Sequence, residues 1–252
     1  MTKDSEAQFN PLASNYASSS VHRVGASLPV LLEFAAPQPN DIMLDVATGT
    51  GNTALTFAPF VSHVTGVDLA VQMLSAARAR VLEEGVLNAT FLEGSAEALP
   101  FADASFDLVT SRHAPHHFRD APKFLLEVTR VLKPAGRFVM ADQVTQGAQN
   151  QAWVDEYQRT RDPSHFTQRT ARQWQELARA AGLTWVRDSV VPYRLEFAWW
   201  TQISGCTSEQ TSRLIQLLED APFEIQLERD LDGSPLAHTE PMLVVRFEQR
   251  VA

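Results

Sequence analysis

Cysteine and long apolar runs are what this 252-residue sequence most clearly lacks, and each shortage excludes a class of protein. Cys206 is the single cysteine, so the chain can form neither an internal disulfide nor a thiolate metal site. No run of about 18 apolar residues is present, and the polar N-terminal stretch lacks the apolar core of a signal peptide. We therefore expect a cytoplasmic protein without integral membrane contact.

Positive charge is also scarce, since 21 lysines and arginines face 30 aspartates and glutamates, which leaves a formal net charge of −9. A nucleic-acid substrate requires a basic surface that neutralises phosphates, so we expect no nucleic-acid partner. Hydrophobic residues make up 44% of the chain, which excludes a largely disordered protein. The length suffices for one large domain with a sizeable core, although nothing in the sequence indicates the oligomeric state.

The most informative stretch is residues 42–51, IMLDVATGTG, where an apolar run ends in a carboxylate and a glycine-rich turn follows. Gly49 and Gly51 lack Cβ atoms, so the backbone can turn sharply and approach a ligand closely. The next segment, residues 52–60, is compatible with a helix whose amino end offers unpaired N–H groups. The pattern predicts a buried parallel strand that delivers its carboxyl end to a nucleotide-like cofactor.

Two cofactors fit this turn. Residues 49–54 satisfy the dinucleotide pattern in its Gly-x-Gly-x-x-Ala form, and Asp68 closes a second apolar run further along the chain. A carboxylate at the end of the second strand can accept hydrogen bonds from both ribose hydroxyls of an adenosine. Because NAD and S-adenosylmethionine both carry that ribose, a nicotinamide oxidoreductase and a methyltransferase both remain open.

Three further blocks favour the methyltransferase: LEGSAEALPF at residues 92–101, DASFDLV at 103–109 and EVTRVLKPAGRF at 127–138. Together with the glycine turn, their order and spacing resemble the class I S-adenosylmethionine-dependent methyltransferases of the type 11 group. That group includes the ubiquinone and menaquinone biosynthesis C-methyltransferases and uncharacterised bacterial relatives. Ala47 departs from the pattern, because many members carry glycine there, and we expect a slightly different backbone approach at that point.

The resemblance implies an α/β fold with a doubly wound, Rossmann-like, seven-stranded sheet, whose last strand is antiparallel, and a small substrate cap. It implies one domain over residues 1–252, with a lid at 1–30, a cofactor-binding core at 31–146, and the cap insertion and closing strands at 147–252. The predicted strands are Ile42–Val46, His63–Val67, Ala89–Glu93, Phe106–Ser111, Arg137–Asp142, Thr184–Val191 and Met242–Val251. The predicted helices include Leu69–Glu84, Asp120–Leu132, Gln151–Arg161, Thr170–Ala181 and Thr207–Ala221.

The resemblance also implies S-adenosylmethionine as the cofactor, with S-adenosylhomocysteine as its product. The glycine turn would support the methionine part and the sulfonium, Asp68 would hold the ribose, and the N-terminal arm would cover the site. The residues assigned to the cofactor are Tyr16, His22, Asp45, Ala47, Gly49, Gly51, Asp68, Leu69, Met73, Ser95, Ala96, Glu97 and Arg112. Helix capping remains an alternative role for Asp45 and Asp68, and plain core packing for Met73.

Residues 112–117, RHAPHH, follow the fourth predicted strand, where the active sites of α/β proteins open. Three imidazoles invite a metal hypothesis, but no nearby carboxylate or thiolate completes a ligand set at the usual spacing, so we predict no metal. His113 is our candidate for a general base or a positioning donor, and His117 for contact with the substrate. A structural role, with the ring donating to a backbone carbonyl, is the alternative for these histidines.

The stretch RDPSHF at residues 161–166 follows the fifth predicted strand, in the region that covers the substrate pocket of related proteins. We assign Arg161 and Asp162 to substrate positioning and take His165 as a second catalytic candidate. A simple Asp-Pro turn or a helix end is the alternative for Asp162. The five tryptophans all follow Asp142, and they either wall an apolar pocket or pack the core of the cap.

These assignments predict a methyltransferase that acts on a small molecule by in-line displacement at a carbon, oxygen or nitrogen acceptor. An NAD(P)-dependent oxidoreductase would carry a Tyr-x-x-x-Lys or similar proton donor, and the sequence has no such motif. A non-catalytic protein that only binds S-adenosylmethionine stays open as well, because the nucleophile of the family comes from the substrate.

Overall fold

The computed structural model describes residues 3–18, 23 and 25–249, which form an α/β fold around a central sheet. Its strands are β1 (Ile42–Val46), β2 (His63–Asp68), β3 (Ala89–Glu93), β4 (Phe106–Arg112), β5 (Leu132–Gln143), β6 (Leu183–Glu196), β7 (Gln226–Arg229) and β8 (Pro235–Gln249). Its helices are α1 (Lys3–Phe9), α2 (Ala13–Ser18), α3 (Ser27–Ala35), α4 (Asn52–Phe57), α5 (Val71–Glu84), α6 (Ala121–Val131), α7 (Gln151–Arg161), α8 (Ala171–Ala180), α9 (Phe197–Ile203) and α10 (Ser208–Leu217).

Strands β1 to β5 run parallel, and β8 lies antiparallel between β5 and β6. The order β3-β2-β1-β4-β5-β8-β6 confirms the doubly wound sheet with an antiparallel last strand. The described residues add an eighth strand to the predicted seven, because β7 pairs with β8 outside this order. Since β7 is only four residues long and largely exposed, it carries no apolar run that the sequence could have shown.

Strand β6 extends to Glu196, beyond the end predicted at Val191, although Pro192 follows directly. Proline has no N–H for a ladder hydrogen bond, so it is tolerated mainly on edge strands. Among the described strands β6 pairs with β8 alone, which makes it an edge strand. The strand therefore continues through Pro192, past the predicted end at Val191.

Helix α6 shows how local sequence fixes an element. The Asp120 side chain accepts a hydrogen bond from the backbone N–H of Lys123 at 2.9 Å and so caps the helix. Pro122 occupies the first turn, and Leu125 and Val128 lie on the buried face of the helix. No described helix is long and apolar enough to cross a membrane.

The core lies on both faces of the sheet. Met43 of β1 and Val139 of β5 belong to one apolar cluster, whereas their neighbours Leu44 and Met140 belong to another. Successive side chains of a strand point to opposite faces, so these two clusters are the two layers under the flanking helices. This double coverage explains why the parallel strands read as continuous apolar runs.

The sheet order reverses between β1 and β4, which are neighbours although β2 and β3 separate them in sequence. In open α/β sheets, ligands bind beyond the carboxyl ends of the strands at such a reversal. The N-terminal helices reach the same edge, because Phe9 and Tyr16 pack in one cluster with Met73 of α5. We therefore expect the ligand site at this edge of the sheet.

Candidate functional site

A cavity with about 950 Å³ of empty space, part of it open to solvent, lies at this edge. The turn after β1 and the end of β2 form one side, and residues of α7, β6 and α9 form the other. Its lining combines polar and charged groups with aromatic side chains, as is common in ligand pockets. The predicted site residues that line it are Tyr16, Ala47, Gly49, Asp68, Met73, Arg112, His113, His117, Arg161 and Asp162.

The glycine turn has a left-handed backbone, with φ at 56° for Ala47, 54° for Gly49 and 78° for Gly51. A Cβ on Gly51 would stand 2.8 Å from the ring of Phe91, so space as well as conformation requires glycine there. Ala47 adopts the same conformation at a cost of about 1–2 kcal/mol. The turn therefore tolerates alanine in place of the family's glycine, and Ala47 still lines the cavity.

Asp45 holds the turn from behind and does not line the cavity. Its two oxygens accept hydrogen bonds from the hydroxyls of Thr48 and Thr110, both at 2.7 Å. Burial raises the pKa of this carboxyl to about 6. The structure thus connects Asp45 to the turn and to β4, and direct contact with a cofactor remains a prediction.

Asp68 lies on the cavity wall and is 2% exposed. It accepts hydrogen bonds from the backbone N–H groups of Gly49 at 2.8 Å and Ala70 at 2.9 Å, and burial raises its pKa. The backbone of Leu69 also hydrogen-bonds with this carboxyl, which with about four lone-pair positions keeps capacity for a donor from a ligand. Ribose hydroxyls are such donors, and contact between Asp68 and the ribose stays a prediction.

The N-terminal arm reaches the cavity through Tyr16. Burial raises the pKa of its hydroxyl, which hydrogen-bonds with the side chains of Arg161 and Ser204. Gln8 of α1 also donates to the Ser204 carbonyl at 3.4 Å. These contacts hold Tyr16 at the cavity, and its contact with the cofactor stays a prediction, whereas His22 lies outside the described residues.

The predicted adenine contacts at residues 95–97 do not line the cavity. Ser95 accepts a hydrogen bond from the Glu97 backbone at 3.2 Å, and Ala96 is buried in an apolar cluster. Glu97 in turn accepts from the backbone of Asp120 at 3.2 Å. Leu69 is also absent from the lining, so these four assignments stay predictions.

Arg112 ends β4 with its guanidinium beside the cavity. Its Nε donates to the hydroxyl of Thr53 at 3.1 Å, and its Nη1 lies 3.5 Å from the hydroxyl of Ser27. Burial lowers the pKa of Arg112 to about 10, which still leaves it charged at neutral pH. The cavity wall therefore carries a fixed positive charge at this point.

The histidines after β4 take up different roles. His113 lines the cavity with φ at 55°, and its ring centroid lies 4.9 Å from that of Tyr193. His117 also lines the cavity, with Nδ1 3.1 Å from the Ser164 carbonyl and Nε2 3.9 Å from Asp162. Burial holds the pKa of His117 well below its usual value, so this ring is neutral.

Three further predicted site residues lie at the end of α7 or just after it, and two of them line the cavity. Arg161 and Asp162 line the cavity, and Arg161 donates to the Ser204 hydroxyl at 2.7 Å. His165 does not line it, because its Nε2 lies 2.8 Å from a carboxylate oxygen of Asp155 and the residue is only 3% exposed. Direct contact of His165 with reacting atoms therefore has no support in this geometry.

Sequence reasoning missed one pair on the cavity wall. His116 lines the cavity, and its Nδ1 lies 2.6 Å from a carboxylate oxygen of Asp142 near the end of β5. A signal existed, because Asp142 closes an apolar strand just as Asp68 does. Trp199 and Trp200 of α9 line the cavity as well, whereas Trp174 is fully buried in the core.

The histidine-rich neighbourhood is not arranged as a metal centre. Among the described residues, no group of three or more histidine, cysteine, aspartate or glutamate side chains is placed to hold a metal ion. The rings of His116, His117 and His165 instead face Asp142, Ser164 and Asp155 as separate pairs.

Comparison with known proteins assigns the class. A family model described as a methyltransferase domain matches residues 44–140. The methyltransferase YcgJ of Bacillus subtilis is 33% identical over 250 residues, which covers 97% of this chain and 99% of that protein. The chain belongs to the class I S-adenosylmethionine-dependent methyltransferases of the type 11 group. Its cofactor is S-adenosylmethionine, and this membership decides between the two cofactors that the glycine turn left open.

Solved structures agree with this class over most of the chain. The crystal structure of YcgJ has a TM-score of 0.83 at 30% identity and covers 90% of this chain and 99% of its own. That of BH2331 from Bacillus halodurans has a TM-score of 0.84 at 28% identity, with coverage of 90% and 100%. The ubiquinone/menaquinone biosynthesis C-methyltransferase UbiE of Brucella anthropi is 37% identical over 141 residues, but only 52% of this chain and 54% of that protein align.

Proposed function

We propose that this methyltransferase transfers its methyl group to a small-molecule acceptor, at carbon, oxygen or nitrogen, by in-line displacement. The observation that carries the proposal is the continuity of the cavity. Gly49 and Asp68 line it on the cofactor side, and Tyr193, Trp199 and Trp200 line it on the cap side. A cofactor and a second small ligand can therefore meet within one enclosure.

The chain's own residues supply positioning and exclusion of water. S-adenosylmethionine, when bound, brings a methyl group that is activated for displacement by a nucleophile. Tyr16, through its bonds to Arg161 and Ser204, closes the enclosure over the cofactor side. Holding two reactants in a fixed geometry away from water is worth about 7–11 kcal/mol of the barrier, so few protein groups need take part in the chemistry.

The charge of the protein supports a small acceptor. The net charge of −9 disfavours binding of a polyanion such as a nucleic acid. The cap side of the cavity is instead aromatic, which suits an apolar or aromatic small molecule.

Calorimetric titration with S-adenosylhomocysteine tests the cofactor side. Asp68→Ala removes an acceptor of two ribose hydrogen bonds, each worth about 1.5–3 kcal/mol because the acceptor is charged. We expect the affinity to fall about hundredfold or more, and NAD to bind neither protein. Glu83→Ala, on the exposed face of α5, is the matched control and should bind as the wild type does. Equal affinity in the Asp68 variant would contradict the assigned role.

Methyl-labelled S-adenosylmethionine tests the acceptor class. The wild type is incubated with a cell extract separated into a small-molecule fraction, an RNA fraction and a protein fraction. We expect enzyme-dependent label in the small-molecule fraction. Label confined to RNA or protein would overturn the proposal of a small acceptor while leaving the methyltransferase class intact.

A further inference from the structure

His116, which lines the cavity, forms a hydrogen-bonded pair with Asp142 behind it, and the proposed function leaves this pair without a role. The ring nitrogen Nδ1 and the carboxylate oxygen Oδ1 are 2.6 Å apart. Both residues are nearly buried, with 5% and 1% exposure, yet the His116 side chain still lines the cavity. The backbone carbonyl of His116 also accepts hydrogen bonds from Phe166 and Thr167, so its position is fixed from two sides.

The pair determines which ring nitrogen carries the proton. An ionised carboxylate only accepts hydrogen bonds, so Nδ1 of His116 is the protonated nitrogen and Nε2 keeps a lone pair. No described residue forms a hydrogen bond with Nε2. The part of the ring that reaches the cavity therefore presents a proton acceptor, and the carboxylate behind it stabilises the cation that forms when a proton arrives.

The neighbouring histidines are less suited to this task. His117 has a backbone carbonyl rather than a carboxylate beside its Nδ1, and burial holds its pKa far down. His165 lies against Asp155 outside the cavity and stacks on His116 with ring centroids 5.4 Å apart. His116 thus combines a close carboxylate partner on Nδ1 with a place in the cavity lining.

Other charged groups surround the pair. Arg169 lies within electrostatic range of Asp142 and Asp155, and the two carboxyl groups partly offset the lowering of the Arg169 pKa by burial. The His117 ring lies with its centroid 4.1 Å from that of His116, and Asp162 lies on the far side of His117. Burial lowers the pKa of His117 and of His165, so neither neighbouring ring places a positive charge beside His116.

We propose that His116 is the general base for an aromatic hydroxyl acceptor, with Asp142 as its positioning residue. In the step, the O–H bond of the acceptor breaks and its electron pair stays on oxygen. The proton forms a bond with Nε2 of His116, which becomes an imidazolium paired with Asp142. The oxygen is then the nucleophile for the methyl group, and the proton later leaves to solvent. This inference rests on the proposed function.

Two observations favour an aromatic acceptor: the residues that line the cap side of the cavity, and the acidity of a phenolic hydroxyl. Tyr193, Trp199 and Trp200 line the cap side of the cavity with aromatic side chains. A phenolic hydroxyl has a pKa of about 10, close enough to that of an imidazole for proton transfer, whereas an aliphatic alcohol is far less acidic. Arg161, whose guanidinium lies 4.8 Å from the Trp200 ring, favours an oxygen that gains negative charge over an ammonium group.

The test uses 4-nitrophenol, whose ionised form absorbs visible light and whose neutral form does not. Wild type, His116→Gln and Asp142→Asn are saturated with S-adenosylhomocysteine and titrated with the probe at a pH where the free probe is mostly neutral. We expect the phenolate band on the wild type, its loss in His116→Gln and a weaker band in Asp142→Asn. His63→Gln, at a partly exposed histidine outside the cavity, is the control and should keep the band.

The outcomes separate this inference from the proposed function. Failure of S-adenosylhomocysteine to bind the wild type would contradict the cofactor assignment itself. If S-adenosylhomocysteine binds and His116→Gln gives the same phenolate band as the wild type, His116 is not the base. If S-adenosylhomocysteine binds and 4-nitrophenol does not, the aromatic acceptor class is wrong.

Nitrogen NMR of the wild type needs no variant and decides the question if a substituted protein fails to fold. We expect the Nδ1–H tautomer at His116 and protonation of its Nε2 when 4-nitrophenol is added. An Nε2–H tautomer in the resting protein would overturn the inference. Asp142→Glu retains a carboxylate and should keep the wild-type tautomer of His116. Asp142→Asn has no carboxylate and should lose it.

Discussion

The two halves of the molecule hold their cavity-facing groups in different ways. In the core, between residues 31 and 146, a backbone group fixes the carboxylate at the end of β2, as the Gly49 N–H does for Asp68. Between the N-terminal arm and the cap, side chains distant in sequence hold one another, as Tyr16 does with Arg161 and Ser204. The family model matches only residues 44–140, within the first half. We infer that the backbone-held half keeps the cofactor and that the side-chain-held half selects the acceptor.

The largest effect that would sharpen this comparison is expected at Asp45, behind the turn. Its pKa is near 3.8 in the unfolded chain and about 6 in the folded protein. Between these values the folded state binds more protons, so the Asp45 contribution to stability is lost as pH rises from about 4 to 6. The side chain introduced by Asp45→Asn cannot ionise, so the variant does not lose this contribution. As pH rises from about 4 to 6, its free energy of unfolding should therefore increase by about 3 kcal/mol relative to that of the wild type.

Urea unfolding at several pH values measures this difference. Glu209→Gln, on an exposed surface of the cap, is the control and should follow the wild type at every pH. Curves for wild type and Asp45→Asn that stay parallel from pH 4 to 7 would show that burial does not disfavour the Asp45 charge.

A smaller effect is expected from Gly66→Ala in the centre of β2. A Cβ there would stand 2.6 Å from the Phe91 ring and 2.8 Å from the Thr48 methyl group. We expect a loss of about 2 kcal/mol in the free energy of unfolding, as is typical of overpacking. Phe91→Leu in the same chain should recover part of the loss, and simple additivity of the two substitutions in a urea-denaturation cycle would refute the steric cause.

The smallest effect concerns the side-chain-held half. Tyr16→Phe removes the hydroxyl that ties α2 to the cap, and hydrogen exchange in residues 3–18 should accelerate about fivefold, equivalent to about 1 kcal/mol. Tyr157→Phe is a matched control, because that buried hydroxyl has no partner among the described residues. Its removal should leave the thermal midpoint unchanged or slightly higher. Unchanged exchange in Tyr16→Phe would mean that the arm is held by apolar packing alone.

Sequence reasoning succeeded where local pattern and function coincide. The strand before the glycine turn, the carboxylate that closes β2 and the cap of α6 are each fixed by neighbours close in the chain. Helix α9 was missed, because its seven residues follow β6 without a break and include two adjacent tryptophans rather than a clear period. The N-terminal helices were missed as well, since short polar segments gain their order from packing.

The candidate site was predictable to a lesser degree, because many of its pairs are long-range. His116 meets Asp142 and His117 meets Ser164 only after the sheet and the cap have assembled. Three histidines within six residues looked equivalent in sequence, and their partners alone distinguish them. His165 shows the same limit, since its bond to Asp155 removes it from the cavity although it shares a stretch with Arg161.

The hydrogen bond from the Gly49 N–H to Asp68 directly joins the glycine turn to the carboxylate of β2, which we assign to the two ends of the cofactor. We therefore expect a fragment that engages the carboxylate at the end of β2 to act also on the turn that we assign to the other end of the cofactor. Adenosine and methionine should consequently bind with positive cooperativity rather than independently. An inhibitor that links groups for both ends would then gain more affinity than the separate fragments suggest.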